Sequence, residues 1–263
     1  MKSNKYDQLM IKTLGDSHIK KGTVYYDGDY ENALKKELKK YGLLEKYKGE
    51  LTQNSKGTKM CSIASSSRLC FLASRSIIRG KVELERTDIK NGCCNPHFDA
   101  YSNYGNEFFE FKCHELCSEK HSKLTSMKYI PLLKEVFGIE CSDPKELKFS
   151  DFGLRIDNDP YINEINFDFK QFICHIFGLL SIAKKTKKTK LTYIWITPYD
   201  PKNTELNDFI DFINNQIDNV FEQVSELTVH TKSESGKLRE FIEFNCEIVS
   251  ADDIPDFVLE SID

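Results

Sequence analysis

The sequence predicts an α/β domain built on a mixed central sheet of four or five strands flanked by helices on both faces. Three observations lead to it. From Ser62 onward the residue patterns run helix, strand, strand, strand, helix, strand, a core order of αβββαβ. Residues 191–197, LTYIWIT, are apolar on both sides, which suits a strand at the centre of a sheet covered twice. Residues 168–184 carry a broad apolar stripe through Phe169, Phe172, Ile173, Ile176, Phe177, Leu180 and Ile182, as a helix laid on such a sheet would. The chain of 263 residues is long enough for a sizeable core. The expected division is an N-terminal helical arm over 1–60, a core over 61–200 with a helical insertion at 114–167, and a C-terminal α/β extension over 201–263.

The elements follow in order. Residues 1–28 are polar and carry no clear pattern. Residues 29–41, DYENALKKELKKY, form a helix with a narrow stripe of Leu34, Leu38 and Tyr41, closed by Gly42. Residues 45–59 are rich in Lys, Gly, Ser and Asn and read as a loop. Residues 62–78 are mostly small and apolar, a buried helix ended by Gly80. Lys81 to Glu85 alternate as a strand. Residues 114–138 are helical, and 141–166, with turn signals at Pro144 and Pro160, are mostly irregular. Asp168 followed three residues on by Gln171 resembles a capping box. Residues 203–224 form an amphipathic helix, 226–232 and 238–249 form strands, and the acidic tail 252–263 is expected to fray.

Composition narrows the class. The apolar fraction of 40% and charged fraction of 30% are those of a globular protein on the polar side. No run approaches the ~18 apolar residues of a membrane span, so no membrane partner is expected. The start, MKSNKYDQLMIK, lacks the apolar stretch of a secretory signal. Nine cysteines, an odd number in no regular spacing, then read as reduced thiols in a cytoplasmic protein. The net charge of −4 does not mark a nucleic-acid binder, yet a local basic surface is what such binding needs.

The chemistry concentrates in residues 95–115, NPHFDAYSNYGNEFFEFKCHE. Two short strands flank the turn Ser102–Asn106. Side chains alternate along a strand. His97, Asp99 and Tyr101 therefore share one face of the first strand, and Glu110 and Lys112 one face of the second. With the apolar faces buried, one hairpin presents Asp99, Glu110 and Lys112 together at the open side of a sheet. Two carboxylates and an ammonium group so placed can hold a divalent cation and a water molecule.

An Asp on one strand and Glu-x-Lys on the next, with an αβββαβ order around them, resembles the PD-(D/E)xK nuclease superfamily, the restriction-endonuclease-like fold. The resemblance covers roughly residues 62–197. Glu-x-Lys also occurs at Glu37 and Glu146, but only Glu110 has a strand pattern and an upstream Asp. The resemblance implies a Mg²⁺- or Mn²⁺-dependent deoxyribonuclease, with DNA as partner and a homodimer for cutting both strands. Asp99 and Glu110 would bind the metal, and Lys112 would orient the attacking water. The first core helix lacks the acidic residue that many members supply. Glu83 or Glu85 on the following strand stands in for it, and Glu83 is taken as the third metal ligand. Gln171 matches a supporting polar position at the start of the second core helix, and a capping role serves it equally well. The lysines Lys184, Lys185, Lys187 and Lys188 would contact phosphates, although favourable charge at a helix C-terminus also accounts for them. The alternative function is a catalytically inactive protein of this fold that binds nucleic acid or another protein. Restriction, repair and mobile-element roles are not distinguished by these residues.

Two other constellations are disfavoured by geometry, the first unless a ligand comes from elsewhere or the helix breaks. Cys113, His114, Cys117 and His121 resemble a zinc site, whose ligands lie ~2.0–2.3 Å from the ion. On a continuous helix, Cys113 and His121 are separated by about 12 Å along the axis. A Cys94, His97, Asp99 nucleophile is disfavoured because alternation puts Cys94 and His97 on opposite faces. Its neighbour Cys93 offers only a strained adjacent pair.

Overall fold

The computed structural model describes residues 3–14, 18–53, 57–89, 95–113, 127–147, 149–152 and 168–262. Cys93, Cys94, His114, Cys117 and His121 lie outside the described residues, as does most of the 114–167 insertion. The described elements are α1 (Ser3–Leu14), α2 (Gly28–Lys40), α3 (Ser66–Ser76), β1 (Val82–Arg86), β2 (Phe98–Ser102), β3 (Glu107–Lys112), α4 (Ile130–Phe137), α5 (Phe169–Leu180), β4 (Thr189–Thr197), α6 (Thr204–Ser225), β5 (Thr228–His230), β6 (Ser235–Lys237) and β7 (Ile242–Ser250).

Five strands form one mixed sheet in the order β1-β2-β3-β4-β7. The first three pair antiparallel, and β4 runs parallel to both β3 and β7. β4 takes the inner position that its two-sided apolar pattern predicts. Leu191 to Thr197 are all buried. The β3-to-β4 connection carries α5, and the β4-to-β7 connection carries α6, as parallel pairs require long crossovers. The ring of Phe172 on α5 meets Tyr193 of β4, Phe221 of α6 and Phe244 of β7 at 5.7–6.2 Å between centroids. α3 lies against β1, β2 and β3.

Local signals set most boundaries. Asp27 caps α2 by accepting the N–H groups of Asp29 and Tyr30, and Gly42 follows with φ +69°. Gly138 ends α4 in the same left-handed way. α3 begins at Ser66, four residues later than expected, because Ser65 caps it through the Arg68 N–H. The strand expected over 238–249 starts only at Ile242, since Leu238–Glu240 form a 3₁₀ turn.

Both ends of the described chain depart from expectation. Residues 3–14 form a helix that buries Tyr6 and Met10, and the Tyr6 hydroxyl donates to the carbonyl of Ile196. The tail does not fray. Ile254 and Val258 are buried, and Asp256 accepts from Arg68 at 2.9 Å. Arg68 is 1% exposed; it also donates to the Tyr30 hydroxyl and the Ile63 carbonyl and stacks over Tyr26. One continuous apolar cluster therefore runs from Tyr6 through the sheet to Val258.

Candidate active site

The site begins with a side chain that replaces a strand hydrogen bond. The β2–β3 ladder runs from Ser102–Glu107 to Ala100–Phe109. At the next position the Asp99 carboxylate accepts the N–H of Phe111 at 2.7 Å. Asp99 is thus wedged between its own strand and the residue joining Glu110 to Lys112.

Glu110 and Lys112 sit on one face of β3, opposite Tyr193 and Trp195 of β4. α5 closes over them. The Lys112 ammonium donates to Glu110 Oε1 and to Gln171 Oε1, each at 2.7 Å. The Gln171 amide donates back to Glu110 Oε1, also at 2.7 Å. Three side chains thus close a ring, held at the first turn of α5 because Asp168 caps that helix through the Gln171 N–H. Of the expected capping box only the Asp168 half is in place: Asp168 accepts the Gln171 N–H, while the Gln171 side chain is bound to Glu110 and Lys112.

The expected open position is replaced by a recessed one. Glu110 is 2% exposed. His175, one turn after Gln171 and 1% exposed, brings Nε2 to 3.7 Å from Glu110 Oε2 and to 2.8 Å from the carbonyl of His97. Its ring stacks on Phe98 at 4.5 Å. Burial holds the His175 pKa down at about 3, so the ring is neutral at physiological pH. A neutral imidazole with Nε2 bound to a carbonyl carries its proton there.

Glu85 is the third carboxylate. β1 pairs with β2 through Leu84–Ala100 and Arg86–Phe98, which sets Glu85 opposite Asp99 in register. Burial first, then the charges of Asp99, Glu50 and Glu110, push the Glu85 pKa up to about 8, with Lys46 opposing. Glu85 has φ +51°, rare for a residue with a side chain. Glu83 does not join the site: it is exposed and pairs with Arg86 at 3.2 Å. Of the two carboxylates considered for this role, the structure brings Glu85 to the cluster.

The basic run is also apart. Lys184 and Lys187 bridge the turn between α5 and β4, and Lys188 follows. Lys190 pairs in register with Glu107, and Trp195 with Lys112. Five residues of strand, about 17 Å at ~3.3 Å each, separate the two levels. Lys185 is engaged by Glu240 at 2.6 Å.

The donors suit a hard divalent cation. Asp99, Glu110 and Glu85 offer oxygens only; burial first and the charges of Asp99 and Glu110 after it raise the Glu85 carboxyl, and a cation would offset both. Among the described residues no three His, Cys, Asp or Glu side chains converge on one point. Mg²⁺ binds through as few as one or two carboxylates and keeps several waters, which two adjoining strands can serve. Comparison with protein-family models, with curated proteins and with solved structures returns no match to this chain.

Proposed function

We propose that this protein hydrolyses phosphodiester bonds in DNA, as a metal-dependent endonuclease of the restriction-endonuclease-like kind. The observation that carries the reading is the closed ring of Glu110, Lys112 and Gln171 beside Asp99, on adjoining strands of a mixed sheet. The roles follow from the side chains. Asp99 and Glu110 would hold Mg²⁺ or Mn²⁺, with Glu85 the nearest further carboxylate. When bound, such an ion offsets phosphate charge and lowers the pKa of a coordinated water. Lys112 is the cation of the ring. Its ammonium can turn from Glu110 toward an incoming phosphate, orient the attacking water and steady the negative charge that develops. Gln171 keeps the Lys112 stem aligned meanwhile. Burial of Glu110 under α5 strengthens each of these interactions by excluding water.

A second reading is a binding module without catalysis. It is favoured by the way Lys112 and Glu110 already neutralise each other at 2.7 Å. Plasmid nicking in Mg²⁺ or Mn²⁺ separates the two. The nuclease reading expects nicking by the wild type and a loss of ~100-fold or more in Asp99→Ala, Glu110→Ala and Lys112→Ala. Nicking that survives all three changes, or none by the wild type across DNA forms and both metals, overturns it.

A further inference from the structure

Beside the Glu110–Lys112–Gln171 ring opens a cleft of about 370 Å³. Its described lining includes Pro96, His97, Lys128, Lys170, Gln171 and His175. His97, exposed at the mouth, also lines a second cleft of about 350 Å³ that holds Lys46, Glu85 and Arg86. The two clefts differ in charge. In the second, Glu83 and Asp88 offset Lys46 and Arg86, Glu85 holding its proton at neutral pH, and Arg86 is bound to Glu83 and Asp88. In the first, Lys128 and Lys170 face one carboxylate, Asp168, and that group caps α5.

Several described lysines lack a carboxylate partner; Lys128 and Lys170 are the two of them that line this cleft beside the ring. Lys5, Lys12, Lys35, Lys40, Lys59, Lys134, Lys185 and Lys190 each lie within ion-pair distance of a carboxylate. Lys128 and Lys170 have no such partner among the described residues, and Lys128 rests over the Tyr129 ring. A cation kept beside an active-site ring without a carboxylate partner favours an anion from outside the chain. His175 adds a second sign. It is buried, it lines this cleft, and its Nδ1 has no hydrogen-bond partner among the described residues. Such a group is unusual in a folded interior and suits a site completed by ligand or water.

We infer that this cleft is the substrate-strand subsite: Lys128 and Lys170 grip a backbone phosphate next to the one presented to Glu110 and Lys112. The inference rests on the nuclease reading for what happens at the neighbouring phosphate, but not for binding itself. It moves the nucleic-acid contact from the lysine run 184–188 to Lys170 at the start of α5 and Lys128 ahead of α4, beside the cleft next to the ring. The volume suits a nucleotide unit of one strand and is far too small for a duplex.

The test is anisotropy with a fluorescein-labelled single-stranded 20-mer in EDTA, where no cutting intervenes, over a range of KCl concentrations. The full chain is compared with Lys128→Ala/Lys170→Ala and with the control Lys184→Ala/Lys187→Ala. The expected result is about tenfold weaker binding for the first pair and a salt slope shallower by roughly 1.4, two single-strand contacts at ~0.7 each. The control pair should move both quantities less. Equal effects from the two pairs, an unchanged affinity in the cleft pair, or no binding by the wild type each overturn the inference. Binding that depends on Lys128 and Lys170 in a protein that never nicks DNA upholds this subsite and removes the catalytic reading.

Discussion

At the scale of single residues, the site is a problem of crowded negative charge. Glu85 is the sensitive member, because its carboxyl titrates near 8 in the fold and near ~4.3 in an unfolded chain. Between those values the folded protein holds a proton that the unfolded chain has released, so stability falls as pH rises from about 4.5 to 8. Glu85→Gln removes that dependence. Thermal melts of the variant should match the wild type near pH 5 and exceed it by a few degrees at pH 9, on the order set by ~1 kcal/mol per several degrees. Equal melting curves at pH 9 would mean that Glu85 is not pressed by its neighbours. Added Mg²⁺ should close the same gap in the wild type, because a cation beside Asp99 and Glu110 favours the ionised form of Glu85.

At the scale of elements, the site depends on how closely α5 approaches the segment leading into β2. Gly178 marks the contact. A Cβ built there would fall 2.3 Å from the Pro96 ring. In an exposed helix, Gly→Ala stabilises by up to ~1 kcal/mol. Here the sign reverses. Gly178→Ala is expected to destabilise by about 1–3 kcal/mol, as forced overpacking does, measured by urea unfolding. Because Pro96 precedes His97 and Asp99, nicking should drop further than stability alone requires. Much of this level was legible in sequence. The two-sided apolar run of β4 and the cap at Asp168 stand where their patterns put them, and the stripe of α5 holds as far as Leu180, beyond which Ile182 is exposed. Glu110 and Lys112 were also legible from strand alternation, with Asp99 on the neighbouring strand, whereas Gln171 was pointed to by the resemblance and its helix cap alone would have left it out of the ring. Alternation puts Glu83 and Glu85 on one side of VELER and does not choose between them; the choice comes from the contact of Arg86 with Glu83 and from the burial of Glu85. His175 escaped notice because a lone histidine in an apolar helix acquires meaning only from what the sheet sets beneath it.

At the scale of the whole molecule, contacts far apart in sequence close the core. Arg68 on α3 is buried against Asp256, 188 positions away, and no local pattern could have shown that pairing. Asp256→Ala leaves a guanidinium buried without its counter-charge. The expected cost is about 3–5 kcal/mol, read as a lowered urea midpoint. A double change, Arg68→Met with Asp256→Leu, should recover much of it, since an apolar pair removes the desolvation penalty along with the attraction. An unchanged midpoint in Asp256→Ala would show that the tail contributes little to the core.

The latch between Arg68 and Asp256 also sets an order of events during synthesis. Helix α3, which backs β1, β2 and β3, can make its Arg68–Asp256 contact only once residue 256 has left the ribosome. All the carboxylates of the site, Glu85, Asp99 and Glu110, are translated well over a hundred residues before that point. On the proposed nuclease reading, a growing chain would carry these carboxylates well before the Arg68–Asp256 contact that helps close the core can form.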